Sequence, residues 1–312
     1  MKILAFEFLS GGGVAKQLDL DCSMVRFQRQ GSSMLESVCR DFLLLGHEVI
    51  LPLDSRLELE VANYCSRVAV DDESNLDDVL CDAAGTADAI LVICPESGGC
   101  LLRYLQLLDP WSEKLVSPDS EFVKLTADKW RCFQWLQQRG VPCPRTFQAS
   151  DGSLCQEICE NFKLPVVVKP NDGAGSEGVR LISNRKQLSS ASVGEIVQEY
   201  IVGIPVSVSL ITSRNADIHF CEPGEQIFAS YPLGPHVRTR YPISPYLQIR
   251  AKKLARQVSD ALPRTRGYFG IDMVLAEDEN RDVVIEVNPR LTTSYCELRC
   301  RSEINLAAEM LK

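Results

Sequence analysis

The sequence predicts an α/β first third followed by an α+β remainder, and three observations carry that fold class. Up to about residue 115, short apolar runs alternate with helix-period segments, the pattern of a parallel, doubly wound sheet. From Arg145 the grammar changes to a succession of strands with inserted helices. The length of 312 residues leaves room for two domains or one divided chain, with a core that needs no metal or disulfide staple.

Residues 2–8 form a short apolar run ending at Ser10-Gly11-Gly12-Gly13, which reads as a buried strand entering a glycine loop. Met34, Leu35, Val38, Phe42 and Leu45 share one helical face, closed by Gly46. A strand is expected over His47–Leu53, a helix over Asp77–Ala84 and a fully apolar strand over Ala89–Cys94. Beyond Pro95-Glu96-Ser97-Gly98-Gly99, another helix runs from about Leu101 to Leu108. Pro110 and Pro118 bracket a connector, and helices follow over Asp119–Leu125 and Asp128–Arg139, the second stopped by Gly140 and Pro142. A helix over 151–162 precedes a strand Val166–Lys169, a glycine loop, a strand Gly178–Ile182 and strands near 196–201 and 206–212. Ser244-Pro245 is an N-cap followed by a proline at the first helical position, opening a helix over 245–262. Strands 268–276 and 283–288 and a terminal helix complete the chain.

Asp and Glu number 42 against 33 Lys and Arg, a net charge of −9. Nucleic acids and acidic membranes need a cationic footprint and are disfavoured as partners; anionic small molecules need only a local nest of donors. No apolar run approaches a membrane span, and Met1–Phe8 is too short and too acidic for a signal peptide. A cytoplasmic protein acting on small molecules is expected, with its oligomeric state open. The 13 cysteines include no C-x-x-C pair; Cys155/Cys159 and Cys296/Cys300 stand at helical spacing. They read as reduced, mostly buried small residues. His47, His219 and His236 lie far from any cluster that could hold zinc.

Two segments carry chemistry. In Pro165-Val-Val-Val-Lys-Pro170 and the following Asn171-Asp-Gly-Ala-Gly-Ser-Glu-Gly178, a β-branched strand ends in Lys169 and three glycines follow within nine positions. Closely spaced glycines let backbone N–H groups approach an anion, and a lysine at the strand end adds point charge. No G-K-[ST] opens a helix here, so this is not a P-loop; a plain glycine-rich hairpin is the bland alternative. The second segment runs from Gly270-Ile-Asp272 through the turn Glu277–Asp282 to Val283-Val-Ile-Glu286-Val-Asn288-Pro-Arg290. Glu286 and Asn288 are two apart and share a strand face. With the turn centred near 279–280, Asp272 falls opposite Glu286 or Asn288, so three oxygen ligands converge. Hard oxygen donors without His or Cys suit Mg2+ or Mn2+ holding a phosphate. A solvated hairpin face with coincidental acids is the other reading.

Lys129 in T-A-D-K, the V-V-V-K-P strand with its glycine loop, Q-E-Y-I at 198–201, G-I-D at 270–272 and E-V-N-P-R at 286–290 occur in the order seen in ATP-grasp carboxylate–amine ligases, which residues 118–295 resemble. The opening F-E-F-L-S-G-G-G and the ending E-V-N-P-R-L-T-T-S-Y resemble, more narrowly, the tyramine–glutamate ligases of methanofuran biosynthesis. The resemblance implies an ATP-grasp fold behind a Rossmann-like parallel-sheet pre-grasp domain. Its divisions would be a pre-grasp domain over 1–115, a small lobe with the glycine loop over 116–196 and a large metal-bearing lobe over 197–312. Lys129 and Lys169 match the lysines on the ATP phosphates, and Gly173, Gly175 and Ser176 the loop closing over them. Gln198, Glu199, Tyr200 and Ile201 match the hinge that meets adenine. Asp272, Glu286 and Asn288 match the ligands of Mg2+ or Mn2+, and Arg290 the cation beside the transferred phosphoryl group and the substrate. Lys169 and Arg290 would be the catalytic cations. The implied reaction joins an amino acid and an amine through an acyl phosphate, with glutamate and tyramine as the expected pair. A ligase for another pair, or a non-catalytic nucleotide-binding module, is the alternative. One departure stands out: where many members carry an acid in G-x-E-x-S, this chain reads Gly203-Ile-Pro205-Val-Ser207, so no ribose contact is assigned there.

Further features carry weaker signals. Glu7 is a base for the amine or a strand-end acid, and Ser10–Gly13 lines an amino-acid site or makes a tight turn. Arg238 and Arg240 reach an anion or sit in a solvated loop. Thr292, Thr293, Ser294 and Tyr295 are expected to offer hydroxyls to the amino acid. Trp111, Trp130 and Trp135 read as packing residues rather than a stacking platform.

Overall fold

The computed structural model describes residues 1–17, 21–149, 162–173, 175–184, 187, 191–230 and 234–312. The expected helix over 151–162 falls almost wholly outside them. Strands β1 (Lys2–Glu7), β2 (Glu48–Asp54), β3 (Ser66–Val70) and β4 (Ala89–Ile93) form a parallel sheet in the order β3-β2-β1-β4. Both faces are covered, as parallel sheets require. Ile3 and Ala5 on β1 enter one apolar cluster with helix α1 (Cys22–Leu44), while Leu4 and Phe6 enter another with α2 (Leu76–Thr86) and α3 (Cys100–Leu107). Asp21 caps α1, its carboxylate accepting from the Met24 N–H at 2.8 Å. The edge strand β3 escapes a sequence reading because Ser66, Arg67 and Ala69 are exposed and give it little apolar signal.

Helices α4 (Ser120–Thr126) and α5 (Lys129–Gln138) follow, capped by Asp119 and Asp128. A second sheet is antiparallel: β5 (Thr146–Gln148), β6 (Val166–Pro170), β7 (Arg180–Ile182) and β8 (Glu195–Glu199), in the order β5-β8-β6-β7. The third sheet runs β12 (His236–Arg240), β11 (Gly224–Phe228), β9 (Gly203–Thr212), β13 (Gly267–Ala276), β14 (Val283–Asn288), with β10 (Ile218–Phe220) also on β9. Helix α6 (Pro245–Ala261) covers this sheet through Ala251, Leu254, Ala255 and Val258. The expected single terminal helix is two, α7 (Tyr295–Arg301) and α8 (Leu306–Leu311), separated where Asn305 caps the second. Both pack with α1 in the cluster of the first sheet, so the end of the chain returns to its beginning. Among the described residues, no helix is long and apolar enough to cross a membrane.

Candidate active site

The second and third sheets face one another across a cleft of about 260 Å³. Strand β6 delivers Lys169: Val166, Val167 and Val168 are buried, and the pleat carries the next side chain inward until it is 4% exposed. Its ammonium lies 3.4 Å from the Ile285 carbonyl and 5.6 Å from the centre of the Phe133 ring. Burial pushes it down to about 8, although Glu286 pulls the other way. Lys129 opens α5, its backbone N–H donating to the Asn171 carbonyl at 3.0 Å. Its ammonium donates to the Gly173 carbonyl at 2.6 Å and pairs with Glu286 at 2.9 Å, tying the glycine segment to β14. Burial works against the charged form of Lys129, but Glu286 outweighs it and holds the ammonium above its usual range.

In the β13–β14 hairpin Asp272 stands directly opposite Glu286, and a bulge follows between Asp272 and Met273. The pairs nearest the turn, Val274 with Val283 and Met273 with Val284, centre it just before residue 279, and the bulge then brings Asp272 opposite Glu286, so that the two carboxylates converge. Asp272 accepts from Gln226 Nε2 on one oxygen and Asn288 Nδ2 on the other, both at 3.0 Å. Burial, then the neighbouring Glu286, pushes Asp272 up to about 6. Glu286 stays below the usual carboxylate range, because Lys129 and Lys169 together overcome its burial. Arg290, just past β14, donates through Nε to Glu96 at 2.9 Å and lines the cleft.

The glycine segment reaches over the cleft with Gly175 at φ 63°, Ser176 at φ 64° and Gly178 at φ 70°. Gly175 is the position where only glycine fits: a Cβ there would lie 2.5 Å from the Phe27 ring, so the loop rests on α1. Arg26 and Gln30, one helical turn apart on α1, line the cleft beside it.

Every site residue singled out from the sequence, from Lys129 to Arg290 and including Gln198–Ile201, lines this one cleft. The other candidates resolve differently. Glu7 is a strand-end acid: its carboxylate is buried and accepts from the Leu9 and Ser10 N–H groups at 3.2 and 2.7 Å. Ser10–Gly13 is a tight turn, with Gly11 N–H donating to the Glu7 carbonyl and the Ser10 hydroxyl meeting that of Ser32. Arg240 pairs with Glu225 on the adjacent strand. Tyr295 corrects an expectation: it is fully buried and its hydroxyl donates to Asp41 at 2.6 Å, away from the cleft that Thr292, Thr293 and Ser294 do line. Sequence reasoning missed Glu96 and Gln226. The acid before Ser-Gly-Gly at the end of a buried parallel strand was a usable sign for the first; nothing local marks the second.

Do these residues suit a divalent cation? Among the described residues no group of three or more His, Cys, Asp and Glu side chains converges. What converges is two carboxylates and an amide, and the nitrogen of that amide is turned to Asp272, leaving its oxygen as the ligand atom. Mg2+ is commonly held by one or two carboxylates plus substrate phosphates rather than by an all-protein cage, and this donor set fits that pattern.

Two sheets facing one another across a cleft lined by two lysines, an arginine, two carboxylates and a glycine segment define the architecture. Comparison with known families then places it: the ATP-grasp domain matches residues 126–294 and the pre ATP-grasp 3 domain residues 47–123, and the chain belongs to the ATP-grasp family. It is 20% identical over 201 residues to the carbamoyl phosphate synthase large chain of Thermotoga petrophila, a match covering 60% of this chain but only 18% of that protein. The tyramine–L-glutamate ligase of Methanocaldococcus fervens is 24% identical over 314 residues, covering 99% of this chain and 93% of its own. The crystal structure of a putative ATP-grasp superfamily protein from Archaeoglobus fulgidus superposes with a TM-score of 0.73 at 20% identity, covering 99% of this chain and 87% of that one. That last likeness shows the fold.

Proposed function

We propose that the chain is an ATP-dependent carboxylate–amine ligase that forms an amide through an acyl phosphate, with L-glutamate and tyramine as its substrates. The observation that carries this is the gathering of Lys129, Lys169, Asp272, Glu286, Asn288 and Arg290 around one cleft between two sheets. The end-to-end similarity to a tyramine–L-glutamate ligase supports the substrate pair. In this reading residues 1–115 supply the wall behind the substrates, 116–196 the lobe that closes, and 197–312 the lobe that holds the metal.

Val167, Ile201, Met273 and Ile285 give the cleft apolar lining for adenine beside the Gln198–Ile201 segment. Pro205 lies in β9 against the same cleft and offers no acid to the ribose. Lys129 and Lys169 neutralise phosphate oxygens, and Asp272, Glu286 and Asn288 hold Mg2+ or Mn2+. The cation supplies Lewis-acid neutralisation of those oxygens. The substrate carboxylate attacks the γ-phosphorus, the bond to ADP breaks, and the unprotonated amine then displaces phosphate, losing a proton as the amide forms. Arg290 stabilises charge on the transferring group, and the loop carrying Gly173, Gly175 and Ser176 shields the acyl phosphate from water.

Incubation with ATP, Mg2+ or Mn2+, glutamate and tyramine should yield γ-glutamyltyramine by mass together with an equal amount of ADP. Brisk turnover with another acid–amine pair and none with this one would overturn the pair. ADP formation that ignores both added substrates, or none at all, would overturn the ligase reading in favour of a nucleotide-binding module. Glu286→Gln should lower ADP formation by roughly 100-fold or more, by removing one charged ligand. Unchanged turnover in the folded variant would remove Glu286 from the metal set.

A further inference from the structure

The loop after β4 lies outside both ATP-binding sheets, yet it touches each of them. Glu96 in this loop is 4% exposed, and its Oε2 accepts from Arg290 Nε at 2.9 Å across 194 positions of sequence. Its other oxygen, Oε1, is buried with no hydrogen-bond partner among the described residues; the arginine is the ion-pair partner of this carboxylate, and Lys129 attracts it from farther away. Two residues on, the Gly98 N–H donates to Asp172 Oδ2 at 3.0 Å, on the glycine segment.

We propose that Glu96 is a positioning residue: it holds the Arg290 guanidinium in the direction in which it meets the transferring phosphoryl group. This inference rests on the ligase reading above. Arg290 has a choice of acids, because Asp272 and Glu286 also attract it. A guanidinium released from Glu96 would swing toward those two carboxylates and take the space of the phosphates and their cation. With Nε held by Glu96 and one Nη1 proton held by the Leu291 carbonyl at 3.2 Å, Nη2 and the second Nη1 proton remain for the cleft. A carboxylate is needed here rather than any acceptor, since a buried arginine facing two rival carboxylates stays put only for a partner of equal charge. The same loop holds Asp172 through Gly98, so it fixes Arg290 and the base of the glycine segment to one support.

Two variants and two readouts test this. Glu96→Gln keeps shape and hydrogen-bonding capacity but not charge; it should lower kcat by roughly 10- to 100-fold while KM for ATP changes by less than about 3-fold. Glu96→Asp, which restores the charge at a shorter reach, should recover part of kcat. If kcat is unchanged in Glu96→Gln, or falls only in step with a lowered melting temperature and is not improved in Glu96→Asp, the inference is overturned. The second readout needs no turnover: the Nε–Hε signal of Arg290, assigned by its loss in Arg290→Lys, should be resolved and slow to exchange in the wild type and shifted and fast in Glu96→Gln. An unchanged signal overturns the positioning role whatever the kinetics show. Absence of any ADP formation in the wild type overturns the ligase reading instead, and leaves the signal to decide the role of Glu96.

Discussion

At the end of β6 a charged lysine is kept where water scarcely reaches it, at a cost to the ligand-free fold. Burial holds Lys169 at about 8 against an ordinary 10.5. Below pH 8 the lysine is protonated in both folded and unfolded chains, and the full penalty applies. Between about 8 and 10.5 the folded protein sheds the proton first, so stability rises with pH through that window and the penalty fades. The gap corresponds to about 3 kcal/mol at most. Lys169→Met should therefore raise the melting temperature of the ligand-free protein at pH 7 by a few degrees, and the advantage should vanish near pH 10.5. ATP affinity should fall at the same time. Calorimetry across pH and titration with ATP check both; a less stable variant at pH 7 would mean that packing of the lysine stem on Phe133 outweighs the buried charge.

In helix α1 the informative position is a glycine. Gly31 sits inside a 23-residue helix, where replacing glycine by alanine ordinarily gains about 1 kcal/mol. Here a Cβ would lie 2.4 Å from the Glu7 carboxylate, which two backbone N–H groups pin in place. Gly31→Ala should accordingly destabilise, by roughly 1–3 kcal/mol in urea unfolding, as overpacked sites do. Adding Glu7→Ala to it should cost less than the two single changes summed. A stabilised Gly31→Ala would show that β1 and α1 can separate freely. The β13–β14 hairpin was legible as far as its bulge: residue counting gives the pairing of two strands across one turn, but the shift between Asp272 and Met273, which sets Asp272 opposite Glu286, has no sign in the sequence. Strands β10, β11 and β12 were not legible, since most of their residues are half-buried or exposed and carry no sustained alternation.

Across the molecule, one aspartate joins the beginning of the chain to its end. Asp41 on α1 accepts from the Tyr295 hydroxyl at 2.6 Å and from Arg299 Nε at 3.0 Å, while its carbonyl accepts from Asn305 Nδ2 at 3.1 Å. This ties α7 and α8 to the first sheet, and so holds the segment bearing Thr292–Ser294 against the cleft. Asp41→Ala leaves a buried tyrosine hydroxyl and a mostly buried guanidinium unpartnered, and should cost about 3–5 kcal/mol in chemical denaturation. A change below 1 kcal/mol would mean that apolar packing alone seats the C-terminal helices.

The sequence by itself determined the two-part fold class, most helices and central strands, and the residues that come together in the cleft. Those features are written in local patterns: apolar periodicity, caps, glycine spacing, and an acid and an amide, Glu286 and Asn288, two apart on one strand. Only the tertiary structure decided what each of these groups meets. Burial and partner choice depend on residues far away in sequence, as with Lys129 and Glu286, Arg290 and Glu96, or Tyr295 and Asp41. Tyr295 is the plainest instance: Thr292–Ser294 lie in the turn before α7 and line the cleft, whereas Tyr295 opens that helix and its side chain packs back into the core beside Asp41 of α1.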